Sequence, residues 1–296
     1  MKIETFQTKI QLTKNSRLPQ VNWNKLPFGK LFSDHMFTMD YSNGRWLDMS
    51  IVPYGNISLS PANSALHYGQ SCFEGMKAHR NINGSIALFR PFENAKRFNH
   101  SNKRMCIPEI NEELFVNAII ELLAIDHQWV PENLNHSLYI RPFIFATDPY
   151  IGIKPSDSYK FMIFTCPVGS YYSEPVSVKV ETHYSRAVQG GTGFSKAAGN
   201  YAAALYPAMF AWEERASIFC ARVVLGMRCI EKPVTDCSLR ALTVSISLVV
   251  WQSEITIDFG CSSTIWSRVG GRTFKRMSAF ENNSSFDSMT DAPASS

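Results

Sequence analysis

Residues 31 to 59 alternate apolar and polar side chains on either side of Ser42-Asn43-Gly44, a pattern that predicts strands joined by a hairpin turn. Ser85-Ile86-Ala87-Leu88-Phe89 reads as another strand. Residues 94 to 103 and 112 to 126 read as helices. The second carries apolar side chains at 115, 116, 119, 120, 123 and 124, a period of about 3.6. Leu138 to Phe145, Lys160 to Pro167 and Val176 to Val180 have the composition of strands. The turn-rich stretch from 167 to 176 reads as a connector between a first α/β unit and a second. No internal repeat is present, and the alternation predicts a mixed α/β (α+β) chain of two domains.

Composition narrows the class. With 296 residues, 45% of them hydrophobic and 18% charged, the chain is long enough to bury a substantial core. Its net charge of +4 comes from 29 basic and 25 acidic residues scattered along the sequence, without the Lys/Arg block that grips nucleic acid. The seven cysteines fall at irregular spacings, with neither CxxC pairs nor a secreted disulfide framework, so the expected setting is reducing and cytoplasmic, and no metal ligand is assigned. The N-terminal residues lack a signal core, and the longest apolar stretch, near Ala241 to Trp251, is too short to span a bilayer. Neither nucleic acid nor a membrane is expected as a partner.

The most distinctive stretch is GGTGFSKAAGNYAAAL, residues 190 to 205, which sets Lys196 behind Gly190, Gly191 and Gly193. An arbitrary lysine is a solvated surface charge, but glycines allow a loop to fold close against a ligand. A phosphate-binding GxxxxGK[ST] loop is excluded, because Ser195 precedes Lys196 and Ala197 follows it. The remaining chemistry is a lysine used as a nucleophilic amine toward an aldehyde, with Tyr201 as a neighbouring phenol.

LHYGQSCFEGMKAHR (66 to 80), IALFRPFENAKRF (86 to 98), LYIRPFIFATDPYIGI (138 to 153), FTCPVGSYY (164 to 172) and the lysine block together resemble the branched-chain aminotransferases, pyridoxal-phosphate enzymes of fold type IV, over about residues 28 to 211. The resemblance implies a small N-terminal α/β domain over 1–168 that shapes the substrate pocket. It implies a larger pseudo-barrel domain over 169–296 for the cofactor, incomplete in this chain. The implied reaction moves the amino group of leucine, isoleucine or valine to 2-oxoglutarate through pyridoxal 5'-phosphate, within branched-chain amino-acid biosynthesis, in a homodimer whose other partners are small amino acids and 2-oxo acids. D-amino-acid transaminases and aminodeoxychorismate lyases share the fold, but Phe73-Glu74-Gly75-Met76-Lys77 and Arg141 look more like the branched-chain group.

Residue by residue, Lys196 matches the lysine that holds the cofactor covalently and then shuttles the substrate's proton. Arg97 matches the cofactor-phosphate ligand, and Tyr201 the tyrosine on the cofactor's phenolic oxygen. Phe73, Tyr139 and Tyr171 match aromatic walls of the pocket, while Tyr68, Ile151 and Ile153 match residues presented across the dimer interface. Arg141 matches a residue that handles the side-chain carboxylate of glutamate. Asn200 is expected to cap the helix that follows.

After about Trp212 the resemblance stops. The family would continue with a strand, a glutamate that protonates the pyridine nitrogen, and threonines that complete the phosphate cup. Residues 215 to 296 instead carry four of the seven cysteines and end in a Ser/Asn/Asp-rich stretch. Glu231 lies near the expected place of that glutamate, but Lys232-Pro233-Val234 is the wrong context and the role is not carried over. Two explanations stay open. One is a reading-frame change: codons allowed for Leu225 to Val234, read from the third base of the leucine codon, can spell Trp-Asp-Ala-Leu-His-Arg-Glu-Ala-Gly. The other is true divergence to an inactive cofactor-binding or interaction protein. Either way, the chain as written is expected to turn over weakly or not at all.

Overall fold

The computed structural model describes residues 8–133, 135–169, 178–181 and 183–213, and beyond them the backbone of four strands between residues 218 and 276. The chain divides into two compact units, Met1–Ser245 and Ile246–Ser296. The principal sheet of the first unit has eight strands: β1 (Lys9–Ile10), β2 (His35–Ser42), β3 (Arg45–Pro53), β4 (Ser71–Phe73), β5 (Met76–Arg80), β6 (Ile86–Leu88), β7 (Ser137–Ala146) and β8 (Tyr159–Val168). Its order is β1-β3-β2-β8-β7-β5-β6, with β4 also on β7, and every pairing except β1 with β3 is antiparallel. Helices α1 (Ser64–Tyr68), α2 (Pro91–Arg104) and α3 (Glu112–Ile125) lie among these strands in sequence. Then come β9 (Val178–Val180), α4 (Gly199–Ala202), α5 (Leu205–Glu213) and β10 (Ile218–Cys220), with β10 parallel to β9. The second unit holds an antiparallel sheet of β11 (Thr256–Asp258), β12 (Ile265–Val269) and β13 (Arg272–Arg276). The mixed α/β class expected from the sequence is the one observed.

Local chemistry explains most boundaries. Asn43 and Gly44 turn β2 into β3 with φ of 50° and 77°, the left-handed pair that a two-residue hairpin needs. Helix α2 starts three residues earlier than its periodicity indicated, at Pro91, whose ring presets the first helical φ after Arg90 turns left-handed at φ 45°. Asn111 caps α3 by accepting from the Leu114 N–H at 3.0 Å. Strand β8 runs through Pro167 as expected and ends one residue later, at Val168. Its pairing with β2 ends at Phe164, and Pro167 keeps only β7 as a neighbour, a position that tolerates the missing N–H.

Pro142 is the more consequential proline. β5 pairs with β7 from Leu138 to Ile140 and β4 pairs with it from Phe143 to Phe145, leaving Arg141 and Pro142 opposite the Glu74-Gly75 link. The Pro142 carbonyl accepts from the Glu74 N–H at 2.8 Å. The missing proline N–H would have pointed to that same edge, so the ladder lacks one bond there while its register is the same on either side.

Helices α2 and α3 cover one sheet face. Phe98 of α2, Phe115 of α3 and Phe161 of β8 meet with ring centroids 5.4, 5.7 and 5.8 Å apart, and all three are buried. The N-terminal segment is clasped to this body by two carboxylates. Asp126 accepts from the His35 backbone N–H at 3.0 Å and lies 2.6 Å from His35 Nδ1, while His35 Nε2 accepts from the Thr13 N–H at 3.0 Å, which assigns the ring proton to Nδ1. Asp34 accepts from Ser16 Oγ at 2.5 Å, the Arg17 N–H at 2.9 Å and Trp129 Nε1 at 3.1 Å.

Burial alone would push the Asp34 carboxyl up, but these hydrogen bonds and the Arg17 charge together bring it below its usual value. A depressed carboxyl stabilises the fold above its unfolded value and loses that contribution as pH falls through the folded one. The urea midpoint of the chain therefore falls as pH drops below about 4, and Asp34→Asn removes part of that fall.

Candidate active site

The period-two pleat of β7 sends Leu138, Ile140 and Ile144 into the core and leaves Tyr139 and Arg141 half-buried on the opposite face. Arg141 donates to Tyr139 Oη from Nη2 at 2.8 Å and from Nε at 3.2 Å. Its guanidinium carbon stands 4.3 Å from the centre of the Phe73 ring. Tyr139 has no room to retreat: Phe28 packs edge-on against it at 5.5 Å, and a Cβ on Gly75 would come 2.3 Å from its hydroxyl. Burial raises the Tyr139 phenol above its ordinary range, with the charge and hydrogen bonds of Arg141 pulling the other way. The phenol therefore stays protonated at neutral pH.

The lysine loop is built by close approach. Gly190 takes φ 74°, and a Cβ on Gly193 would fall 2.3 Å from the Ala187 Cβ. Asn200 does not cap the next helix as expected. It lies inside α4, donates to the carbonyls of Thr192 and Ser195 at 2.7 Å each and accepts from Thr192 Oγ1 at 2.7 Å, so its amide clasps the loop instead. The loop then docks on β4: the Lys196 carbonyl accepts from the Phe73 N–H and the Ser71 carbonyl from the Ala198 N–H, both at 3.1 Å. The Lys196 N–H donates to Ser101 Oγ of α2 at 3.0 Å.

These bonds place Lys196 Nζ 3.5 Å from Tyr201 Oη and 4.9 Å above the Phe73 ring, which itself packs on Tyr201 at 4.8 Å. Lys196, Tyr201, Phe73, Tyr139 and Arg141, distant in sequence, thus form one cluster. Arg97 approaches from α2, and its Nε and Nη2 donate to the two oxygens of Glu74 at 2.6 and 2.8 Å. Cys72, beside the loop, is pushed up to about 12 by burial and remains a neutral thiol.

Tyr68, Ile151 and Ile153 do not join the cluster by ring contact or hydrogen bond among the described residues. They stay exposed, by 42%, 65% and 95%. Their segments are held side by side by the Asn63–Pro149 bridge and by the Ser64 N–H donating to the Asp148 carbonyl at 3.0 Å. Tyr171 and Glu231 lie outside the described residues. Glu74, Ser101 and Asn94 were not singled out from the sequence. No local pattern marks them, because each is picked out by contacts made across the fold. A shallow groove of about 680 Å³ lined by Tyr41, Cys106, Ser156 and Tyr159 holds none of this amine, phenol and guanidinium set.

Gly75→Ala forces Tyr139 off its partners and costs about 1–3 kcal/mol in urea unfolding. Adding Tyr139→Phe, which removes the clashing hydroxyl, recovers part of that loss.

No protein-family profile matches the chain. It is 48% identical over 206 residues to branched-chain-amino-acid aminotransferase 2 of Bacillus subtilis, covering 68% of this chain and 56% of that protein. It is 50% identical over 187 residues to branched-chain-amino-acid transaminase 1 of the same organism, covering 62% of this chain and 52% of that one. The chain spans about half the length of the curated relatives it matches. Among solved structures, a branched-chain amino acid aminotransferase of Escherichia coli superposes with a TM-score of 0.51 at 23% identity, covering 64% of this chain and 59% of that one. That of Thermoproteus uzoniensis gives 0.50 at 20%, covering 62% and 59%. These two likenesses show a common fold. Over the part that aligns, the chain is similar to branched-chain aminotransferases and shares the fold of their solved structures.

Proposed function

We propose that the described residues form the lysine-bearing half of a branched-chain aminotransferase site. The observation that carries this reading is the placement of Lys196 Nζ 3.5 Å from a phenol and above an aromatic wall that also stacks Arg141. The donor set fits pyridoxal 5'-phosphate: an amine for its aldehyde, a phenol for its ring oxygen and a guanidinium for its phosphate. Beside them, the buried Ser195 hydroxyl has no partner among the described residues. When bound, that cofactor supplies an electrophilic carbon and a ring that accepts the electron pair released at the substrate's Cα.

The chain's own contributions follow from position. Lys196 Nζ is the amine that would hold the aldehyde end and, when free, would take and return the proton at the substrate's Cα. Tyr201 Oη, next to that nitrogen, keeps the ring oxygen hydrogen-bonded. Arg97 binds the phosphate. Phe73 and Tyr139 give apolar surface for leucine, isoleucine or valine. Arg141 offsets the second carboxylate of glutamate or 2-oxoglutarate. Tyr68, Ile151 and Ile153 reach a partner's pocket in a homodimer, which is why they are exposed in one chain. The proposed domain division at 168/169 separates these pocket strands from the lysine loop. Free thiols at Cys72, Cys106 and Cys166 accord with a cytoplasmic location. Among the described residues no helix is long and apolar enough to cross a membrane.

A second reading is a protein that binds the cofactor without turnover, favoured by a match confined to about half of each relative. Borohydride reduction of the full chain with pyridoxal 5'-phosphate, followed by peptide mapping, is expected to label Lys196, and Lys196→Ala to abolish the label. Label on another residue, or none, overturns both readings. Amino transfer from leucine to 2-oxoglutarate separates the first from the second. In a chain that turns over, Arg141→Met weakens glutamate at least about tenfold more than leucine, the loss of a charge-assisted bond made only to the diacid.

A further inference from the structure

We propose that Glu74 is a positioning residue that sets Arg97 for the phosphate end of the cofactor, an inference that rests on the reading above. Its carboxylate is fully buried, with 0% exposure, at the break opposite Pro142. Four donors converge on it: Arg97 Nε at 2.6 Å, Arg97 Nη2 at 2.8 Å, Asn94 Nδ2 at 3.0 Å and the Gly75 N–H at 3.1 Å.

A carboxylate this deep is tolerated only when paired and hydrogen-bonded, and a two-point contact with a guanidinium fixes the plane of that group as well as its place. The arrangement is anchored at both ends. Glu74 is held by its own N–H on the Pro142 carbonyl, next to Arg141. Arg97 is held through its carbonyl, which accepts from Ser101 Oγ at 3.0 Å, and that same Ser101 oxygen accepts from the Lys196 N–H. The orientation of Arg97 is thereby referenced to Lys196, so the phosphate and aldehyde ends of one ligand are read from a single frame. In this reading Glu74 acts on the ligand only through Arg97.

The test uses the full chain and two probes, pyridoxal 5'-phosphate and pyridoxal, which share the aldehyde and differ in the phosphate. The readout is the apparent dissociation constant for the borohydride-trapped adduct on Lys196. Glu74→Gln turns one acceptor into a donor facing Arg97. It is expected to weaken pyridoxal 5'-phosphate about tenfold while changing pyridoxal by less than about twofold. Equal weakening of both probes, or of neither, overturns the proposal, since a purely structural role moves both together.

Glu74→Gln combined with Arg97→Gln replaces the charged pair by two neutral amides and guards against misfolding. In that background the Glu74 substitution is expected to add no further loss beyond Arg97→Gln alone, whereas multiplying losses contradict an action through Arg97. If the unsubstituted chain traps neither probe on Lys196, the aminotransferase reading itself has failed, an outcome distinct from a trapped adduct that is indifferent to Glu74.

Discussion

The absence of one hydrogen-bond donor organises the site. Pro142 sits in the longest pairing of the sheet, between Arg141 and Phe143, and offers no N–H to the edge occupied by β4 and β5. The ladder is interrupted between Phe73 and Met76 without a change of register, and the Glu74 N–H still donates to the Pro142 carbonyl. At this interruption Glu74 reaches Arg97 and Asn94 of α2, and Gly75 lies against the Tyr139 hydroxyl. The interruption also leaves β4 as a three-residue strand whose other side is available to the lysine loop. Two backbone bonds, at Phe73 and Ser71, then suffice to dock Lys196 where the Phe73 ring can lie beneath it.

Charge is arranged around that break with little waste. Arg141 is spread over two aromatic rings and bonded to a phenol. Arg97 is matched by a buried acid, and Lys196 stands over the same Phe73 ring as Arg141. The apolar side chains around the loop, Phe194, Val188, Leu205 and Tyr206, remain exposed.

Elements with strong local signals were legible. The hairpin at Asn43-Gly44, the amphipathic helix from Glu112 and the long alternating strands could be drawn because turn chemistry and side-chain period act over a few residues. The lysine block stood out in the sequence by its glycines, and the structure shows those glycines at a tight turn and a close approach. The role of Asn200 was misjudged because capping depends only on neighbours in sequence, whereas the clasp it makes depends on the loop curling back to it. The early start of α2 was hidden by a proline, which reads as a breaker until it is seen at a first helical position.

By itself, then, the sequence determined the hairpin, helices α2 and α3, the long strands β7 and β8 and the likeness to a family over part of its length, because each is written in short-range pattern or ordered motifs. Only the tertiary structure decided that Glu74 partners Arg97, that Ser101 ties α2 to the lysine loop, and that Tyr139 and Arg141 share a wall with Phe73. Those contacts join residues separated by up to 95 positions. Their energies depend on burial and angle, which no local pattern encodes.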